Sequence, residues 1–502
     1  MESLLIVLLA LVSVTWFVPL AKSGGWRRAA VVVALLVLGA HLAIERDRWP
    51  MVPTYTLVGL LTLTTLWGSL RKRSTTAQKA VPTKLWRRLL CGCAWLLAVV
   101  VAAAVPTLFP HLHLPQPTGP YRIGVTDLFI VCRDRPETFT PAPDDFREIA
   151  ARIWYPADPI AGSVPAAYME NAAEVSGALT RFTPFPSFLF AHLGRVRTHA
   201  YRGAPVLETD APFPVVVFNH AYWGTLSQST ALMEELASHG YVAVSIGHAF
   251  ETPYIVRDDG TVQSFDPHNA EFAKRGVERR EAYDIERQLT MTRDTARLEE
   301  LIRELMHQRP HAVESLHIWV ADIRAVLDEL ERCNRGSGRF SGRLNLDRVG
   351  VMGHSFGGAA TGQACLDDPR CKVGINFDGL QMGDALDRPL SVPFLFFHHD
   401  NAGAVNPTPN LPLFEHAEGP AYLAVIAGTG HLSYSDICLY PRTSIFRLAA
   451  PAGTISNQRC QTIVNQCVLA FLDHHLGERG TTDPAERFAR FPEVDLHVRC
   501  PP

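Results

Sequence analysis

Gly353-His354-Ser355-Phe356-Gly357-Gly358 follows directly on the apolar run 349–352, and this pairing constrains the fold more than any other stretch of the chain. A serine between two glycines, after a strand-like run and before a run of small residues, fits a strand that turns sharply into a helix with the serine at the apex. The turn is too tight for side chains beside the serine, which explains the glycines. The helix that follows aims its first backbone N–H groups at negative charge developing near the serine. Ala359, Ala360, Gly362 and Ala364 supply the small helix face that packs closely.

The rest of the second half alternates strand-like and helix-like patterns, as a parallel sheet covered by helices requires. Strands are expected at 148–155, 215–218, 242–246, 349–352, 373–377, 394–397 and 422–426, and helices at 228–238, 315–331 and 462–475. The expected architecture is the α/β-hydrolase fold, a mostly parallel sheet with helices on both faces. Two segments break the rhythm. Residues 269–310 carry Arg and Glu at helical spacing and read as an inserted helical cap or a solvated helix pair. Residues 172–193 hold Phe182, Phe185, Phe188, Leu189 and Phe190 with little charge, which suits a lipid-facing surface or a loop packed on the core.

The first 110 residues differ in kind. Apolar stretches at 4–21, 29–44, 51–70 and 89–108 approach the length of a bilayer-spanning helix. The chain opens Met-Glu-Ser rather than with the basic start of a signal peptide. Lys22, Arg27 and Arg28 lie between the first two stretches; Arg71, Lys72, Arg73, Lys79, Lys84, Arg87 and Arg88 lie between the last two. Positive-inside bias puts both loops in the cytoplasm and everything after residue 110 outside it. The expected layout is a four-helix membrane domain at 1–110, a Pro-rich linker at 111–120, a catalytic domain at 121–480 with the insertion 269–310, and a tail at 481–502. The location that follows is a bacterial inner membrane, with an extracytoplasmic catalytic domain.

Cys91 and Cys93 fall inside the fourth stretch, and the other eight cysteines permit disulfides in that compartment, with Cys365/Cys371 and Cys438/Cys460 the first pairs to test against free buried thiols. No metal-ligand spacing occurs, and neither metal nor cofactor is expected. A net charge of −3 gives no polyelectrolyte signature, so nucleic acid is not an expected partner.

A serine nucleophile needs a base and an orienting acid, which in this fold follow it in the order acid, then histidine. His431, in Gly428-Thr429-Gly430-His431 after the last expected strand, is the candidate base; His398 and His399 precede that strand. Asp378 and Asp400 each end a strand, and spacing does not choose between them. The oxyanion donors are expected to be the Phe356 amide and, from the loop after 215–218, the Tyr222 amide. His220 would shape that loop, and Trp223 would line the acyl pocket or pack as an ordinary aromatic.

Thr118-Gly119-Pro120-Tyr121-Arg122-Ile123-Gly124-Val125-Thr126-Asp127, Ile153-Trp154-Tyr155-Pro156, Phe218-Asn219-His220-Ala221-Tyr222-Trp223, Ala237-Ser238-His239-Gly240-Tyr241, the elbow and His431 occur in one order. Across about residues 118–475 this resembles the plasma-type (group VII, isoform II) platelet-activating factor acetylhydrolases and their bacterial relatives. The resemblance implies a calcium-independent serine esterase that removes short or oxidised sn-2 acyl groups from phospholipids. It also implies that the acid follows the strand after the elbow, at Asp378. The family's His-Gly-x oxyanion loop is His220-Ala221-Tyr222 here, and alanine resists the φ values open to glycine.

The expected function is therefore a membrane-embedded serine esterase acting on lipid or small-molecule esters. The rivals are a general carboxylesterase, lipase or polyester hydrolase, and a non-catalytic hydrolase-like sensor. A transporter is poorly supported, because His41, near a stretch end, is the one Asp, Glu, Lys, Arg or His within the four stretches.

Overall fold

A computed structural model describes residues 5–7, 9–10, 24–44, 48–74, 85–181, 186–266, 268–400, 408–448, 450, 452–477 and 483–500. The chain divides into two compact units, Met1–His111 with Pro441–Ala449, and Leu112–Tyr440 with Ala450–Pro502.

The first unit contains the helices Gly24–Ile44, Val52–Ser74 and Leu85–Leu108. Among the described residues, one helix, Leu89–Leu108, is long and apolar enough to cross a membrane; Arg28–Ile44 is a shorter apolar helix. The expected span at 4–21 lies largely outside the described residues. The helix over 51–70 is diluted by threonines, and their hydroxyls bond back to the preceding turn (Thr62 to the Val58 carbonyl at 2.8 Å, Thr65 to the Leu61 carbonyl at 2.8 Å). Thr54 donates to the Ala102 carbonyl at 3.0 Å, and the Tyr55 hydroxyl meets His41 Nδ1 at 2.9 Å. His41 is thus a buried, partnered residue at a helix contact. Leu36, Leu63, Leu96 and Leu97 point outward, each more than 60% exposed.

The second unit is built on an eleven-stranded sheet. In chain order its strands are β1 (Arg122–Pro136), β2 (Phe146–Ala157), β3 (Pro165–Ala167), β4 (Arg197–Arg202), β5 (Phe213–Asn219) and β6 (Val242–His248). After the short separate hairpin of β7 (Tyr254–Val256) and β8 (Val262–Ser264) come β9 (Leu344–His354), β10 (Cys371–Phe377), β11 (Phe394–His399), β12 (Ala421–Ile426) and β13 (Val494–Arg499). The spatial order is β13-β12-β11-β10-β9-β5-β6-β2-β1-β4-β3. From β12 to β6 all neighbours are parallel, while β13 and β2 flank this block antiparallel.

Strands in such a block are covered on both faces, and their side chains alternate between two cores. Val215, Val217, Val349 and Val351 enter one core with the helix Pro310–Arg335, where Leu316, Trp319, Ile323 and Leu327 are buried. Val216, Phe218 and Met352 enter the other with the helices Thr230–Ser238 and Asn457–His475. The strands expected from sequence and the helices expected at 315–331 and 462–475 lie within these elements, while the helix expected at 228–238 begins two residues later, at Thr230. The insertion 269–310 holds the helices Ala270–Glu281, Tyr283–Leu289 and Thr295–Gln308, the last capped by Asp294, which accepts from the Arg297 amide.

Two expectations need correction. The segment expected as a tail adds β13 to the sheet edge, pairing Leu423 with His497 and Val425 with Asp495. Its one-sided alternation of exposed and half-buried residues is too weak to read as a strand. Cys365 and Cys371 form a disulfide between the helix Phe356–Asp367 and β10, whereas Cys438 and Cys460 are free and buried, with Cys460 Sγ donating to the Ser433 carbonyl. In 172–193 the core takes Val175, Leu179, Leu189 and Phe190 while Phe188 faces out; Phe182 and Phe185 lie outside the described residues.

Beneath the β2–β6 edge, Arg147 donates to both oxygens of Asp322 at 3.1 and 2.7 Å and to Glu137 at 3.2 Å, all buried. His248 Nδ1 meets the same Asp322 at 2.9 Å, and its ring stacks on Trp319 with centroids 3.8 Å apart. A buried ion pair contributes little when intact, but losing one partner costs about 3–5 kcal/mol, so the cluster fixes the register of helix and sheet.

Candidate active site

Ser355 sits between β9 and the helix Phe356–Asp367 with φ 56° and ψ −119°, a conformation non-glycine residues rarely adopt. Its amide donates to the Phe377 carbonyl at 2.8 Å, tying the apex to β10. The glycines are there for space. A Cβ on Gly353 would collide with the Gly357 carbonyl, one on Gly357 with the carbonyls of Asn219 and His220, and one on Gly358 with the Asn376 side chain. The elbow, the loop after β5 and the end of β10 are thereby pressed together. Phe356 opens the helix, so its N–H has no acceptor within that helix.

The Ser355 hydroxyl lies 3.0 Å from His431 Nε2, and His431 Nδ1 lies 2.6 Å from Asp378 Oδ2. His431 begins a 3-10 turn just after β12. Asp378, just past β10, also has a left-handed backbone, φ 59°. Asn376 holds that turn by accepting from the Gly379 amide at 2.7 Å and donating to the Gly379 carbonyl at 2.8 Å. Asn410 adds a second bond to the same carbonyl at 2.6 Å.

Asp378 gathers more than one histidine. His399 donates its amide to Oδ1 at 3.0 Å and places Nδ1 2.7 Å from Oδ2, the oxygen that His431 also meets. Burial alone would raise the carboxyl's pKa; hydrogen bonds from His398, His399 and His431 outweigh it and hold Asp378 well below the usual carboxylate range. The same bonds lift His399 above its ordinary value against the opposing effect of burial. Asp378, His399 and His431 bring three potential metal donors within 4.8 Å of one another. Both Nδ1 atoms are directed at the carboxylate, however, so hydrogen bonding accounts for the cluster. Asp400, the other acid, instead accepts from the Gly428 amide at 2.9 Å and so braces the loop that carries His431.

Two residues that sequence reasoning assigned no role complete the frame. His354 Nε2 meets the His431 carbonyl at 2.8 Å, and its Nδ1 meets Gln228 Nε2 at 2.8 Å. Gln228 Oε1 in turn accepts from the Ala221 amide at 2.9 Å. These partners assign the proton to Nε2 of a neutral His354. Burial, then the neighbouring His431, pushes it down to about 3. One chain of hydrogen bonds therefore links the loop after β5 to the backbone of His431.

In that loop, the Ala221 amide goes to Gln228 and the Trp223 amide to the Glu251 carbonyl at 3.0 Å. The strained residue is Trp223, with φ 70°; Ala221 has no left-handed backbone, so alanine at this place in the His-Gly-x pattern costs nothing conformationally. His220 Nδ1 meets the Ala221 carbonyl at 2.7 Å, and burial holds this histidine down to about 3. It shapes the loop as a neutral residue. Tyr222 and Phe356 rings meet edge to face beside Trp319. Ser355, His431, Tyr222, Trp223 and Phe356 line one cavity of about 570 Å³, closed by Leu289, Arg275, Arg279, Arg309 and Ala312 of the insertion and the helix after it. That is the size of a small-ligand pocket.

The family model described as platelet-activating factor acetylhydrolase, isoform II, matches residues 107–486. The platelet-activating factor acetylhydrolase of Cavia porcellus is 24% identical over 382 residues, covering 74% of this chain and 80% of its own length. That of Canis lupus familiaris is 22% identical, with 74% and 79% covered. A probable 1-alkyl-2-acetylglycerophosphocholine esterase of Arthroderma benhamiae is 49% identical over 43 residues, 9% of this chain and 11% of its own. Among solved structures, a ferulic acid esterase from Streptomyces cinnamoneus shares the fold with a TM-score of 0.54 and 23% identity, over 76% of this chain and 98% of that one. The chain is a carboxylic ester hydrolase. It belongs to the platelet-activating factor acetylhydrolase isoform II family.

The buried histidines set a pH dependence for stability. His220 and His354 are held down to about 3 and His248 to about 4, each chiefly by burial, against an ordinary 6.5. Below about 6.5 the unfolded chain binds protons at these sites and the folded chain does not, so stability is full above that pH and falls toward pH 4. Each histidine contributes a slope of about 1.4 kcal/mol per pH unit at most. Buried Asp436, whose carboxyl is pushed well above its ordinary range, acts in the opposite sense and takes part of that slope away. Urea unfolding followed at pH 7, 6 and 5 is expected to show a midpoint that falls with pH; a midpoint that holds or rises contradicts the assignment.

Proposed function

We propose that Ser355, His431 and Asp378 form the catalytic triad of a membrane-anchored phospholipid esterase, with the Tyr222 and Phe356 amides as its oxyanion hole. The observation that carries this reading is the continuous chain Asp378–His431–Ser355, at 2.6 and 3.0 Å, opening into a cavity of about 570 Å³. His431 Nε2 takes the hydroxyl proton as Ser355 Oγ bonds to the ester carbonyl carbon. The carbonyl oxygen becomes an oxyanion that the two amides stabilise. The C–O bond to the alcohol then breaks, and His431 returns the proton to the departing oxygen. Water, deprotonated by His431, attacks the acyl-enzyme and releases the acid with Ser355 restored. Asp378, kept ionised, holds His431 in the required tautomer and stabilises its charged form.

The substrate we infer is a phospholipid with a short sn-2 acyl group, the chemistry in the names of the aligned acetylhydrolases and of the 1-alkyl-2-acetylglycerophosphocholine esterase. The apolar helices of the first unit support anchoring, with Leu89–Leu108 the best-formed span. Back-bonded threonines make Val52–Ser74 compatible with a second span. The loop charges favour an extracytoplasmic catalytic unit in this reading. An anchor of this kind would keep the enzyme close to its lipid substrate.

Two measurements test this reading. For the detergent-purified chain, Ser355→Ala and His431→Ala are expected to lower turnover of p-nitrophenyl butyrate and of a 2-acetyl phospholipid by about 10³-fold or more. Retained turnover in Ser355→Ala contradicts the triad, and turnover of the soluble ester alone contradicts the lipid assignment. For the anchor, alkaline phosphatase fused after residue 112 is expected to be active in a bacterial host and to sediment with membranes at alkaline pH. An inactive or soluble fusion overturns the topology.

A further inference from the structure

The helical insertion brings three arginines to the wall of the ester-binding cavity, and their partners differ. Arg275 is fully engaged: Nε donates to the Ser315 hydroxyl at 2.8 Å and Nη1 to the Glu271 carbonyl at 2.8 Å, with Glu314 and Glu251 within 3.4 and 3.6 Å. Arg309 is half engaged. Its Nη1 donates to Glu286 at 2.8 Å, but Nε is buried with no hydrogen-bond partner among the described residues. Arg279 makes no hydrogen bond or ion pair among the described residues and rests over the Trp223 ring, 5.9 Å from its centroid.

One arginine on this wall is left without a carboxylate partner. Apart from Asp378, which is committed to histidines, Glu286 is the one acid lining the cavity among the described residues, and it pairs with Arg309 rather than Arg279. Burial lowers the pKa of Arg309 and the charge of Arg279 lowers it further, while Glu286 and, more weakly, Glu278 oppose this without restoring it. Two neighbouring guanidinium groups, one partly desolvated and short of acceptors, are an unfavourable arrangement that an anion between them relieves. Guanidinium is also the side chain best shaped to grip a carboxylate or phosphate with paired N–H groups.

We infer that Arg279 and Arg309 form an anion-binding subsite of the ester pocket, which holds an anionic oxygen group carried by the substrate. This rests on the catalytic assignment of Ser355 in the same cavity. The shared ligand chemistry is a phosphodiester on the alcohol side of the ester or a carboxylate at the end of the acyl chain. Glu286 acts as a weak competitor that keeps Arg309 in place between substrates.

Paired substrates test the subsite on the intact, detergent-purified chain. One pair compares mono-p-nitrophenyl glutarate with p-nitrophenyl pentanoate; the other compares a 1-alkyl-2-acetyl phospholipid with the corresponding 1-alkyl-2-acetylglycerol. The expected result is a preference of about tenfold or more in kcat/KM, mostly through KM, for the anionic member of at least one pair. The pair that shows it identifies the source of the anion. Within each variant, the anionic-to-neutral ratio is expected to fall about tenfold in Arg279→Gln and in Arg309→Gln, and to recover in part in Arg279→Lys. Glu286→Gln is expected to move the ratio the other way. Arg279 is exposed, so its variants keep the test decisive if Arg309→Gln fails to fold. Wild-type ratios near one in both pairs, with neutral esters still hydrolysed, overturn the subsite and leave the esterase reading standing. A wild-type chain inert on all four substrates overturns both.

Discussion

The site depends first on how closely the backbone packs around Ser355. Gly353, Gly357, Gly358 and Gly379 each sit where a single Cβ would strike a neighbouring backbone or side chain. Their contacts join the ends of β5, β9 and β10 and the start of the nucleophile helix into one knot. The left-handed conformations at Ser355 and Asp378 persist because the knot over-determines them, through the Ser355 amide to Phe377 and through Asn376 and Asn410 on Gly379. Backbone strain of that order, about 1–3 kcal/mol at each residue, is spread over a heavily hydrogen-bonded core.

Around the knot lies a layer of histidines with two kinds of surroundings. His220, His248 and His354 are buried and neutral, and serve as fixed donors and acceptors. His399 and His431 share one oxygen of Asp378, a carboxylate kept ionised by the N–H groups aimed at it. A neutral His354 carries the hydrogen-bond chain from Gln228 to the His431 carbonyl without adding positive charge beside His431. On the helical insertion beside this centre, Arg309 pairs with Glu286, while Arg279 makes no ion pair among the described residues.

Much of this was readable in the sequence, for physical reasons that also mark where reading fails. The parallel strands announce themselves because burial on both faces favours continuous runs without polar residues, such as 215–218 and 349–352. Strands β1, β4 and β13 do not, since their half-exposed faces give broken patterns. Ser355 and His431 stood out by their glycine-flanked positions after strands. Asp378 and Asp400 were equivalent by spacing, and only the turn held by Asn376 and Asn410 separates the residue that meets His431 from the one that braces its loop. Gln228 and His354, 126 residues apart, meet through tertiary packing that no local pattern signals. Threonine-rich 51–70 looked like a span by length, and its polar hydroxyls lower its apolarity below that of 89–108.

The most direct test of the central claim is the rate at which a fluorophosphonate labels the intact chain, with the modified peptide identified by mass spectrometry. The account predicts one adduct, on Ser355, formed at the wild-type rate in Asp400→Asn, far more slowly in Asp378→Asn, and not at all in His431→Ala. An adduct on another residue, or labelling that survives Asp378→Asn and is lost in Asp400→Asn, would contradict it.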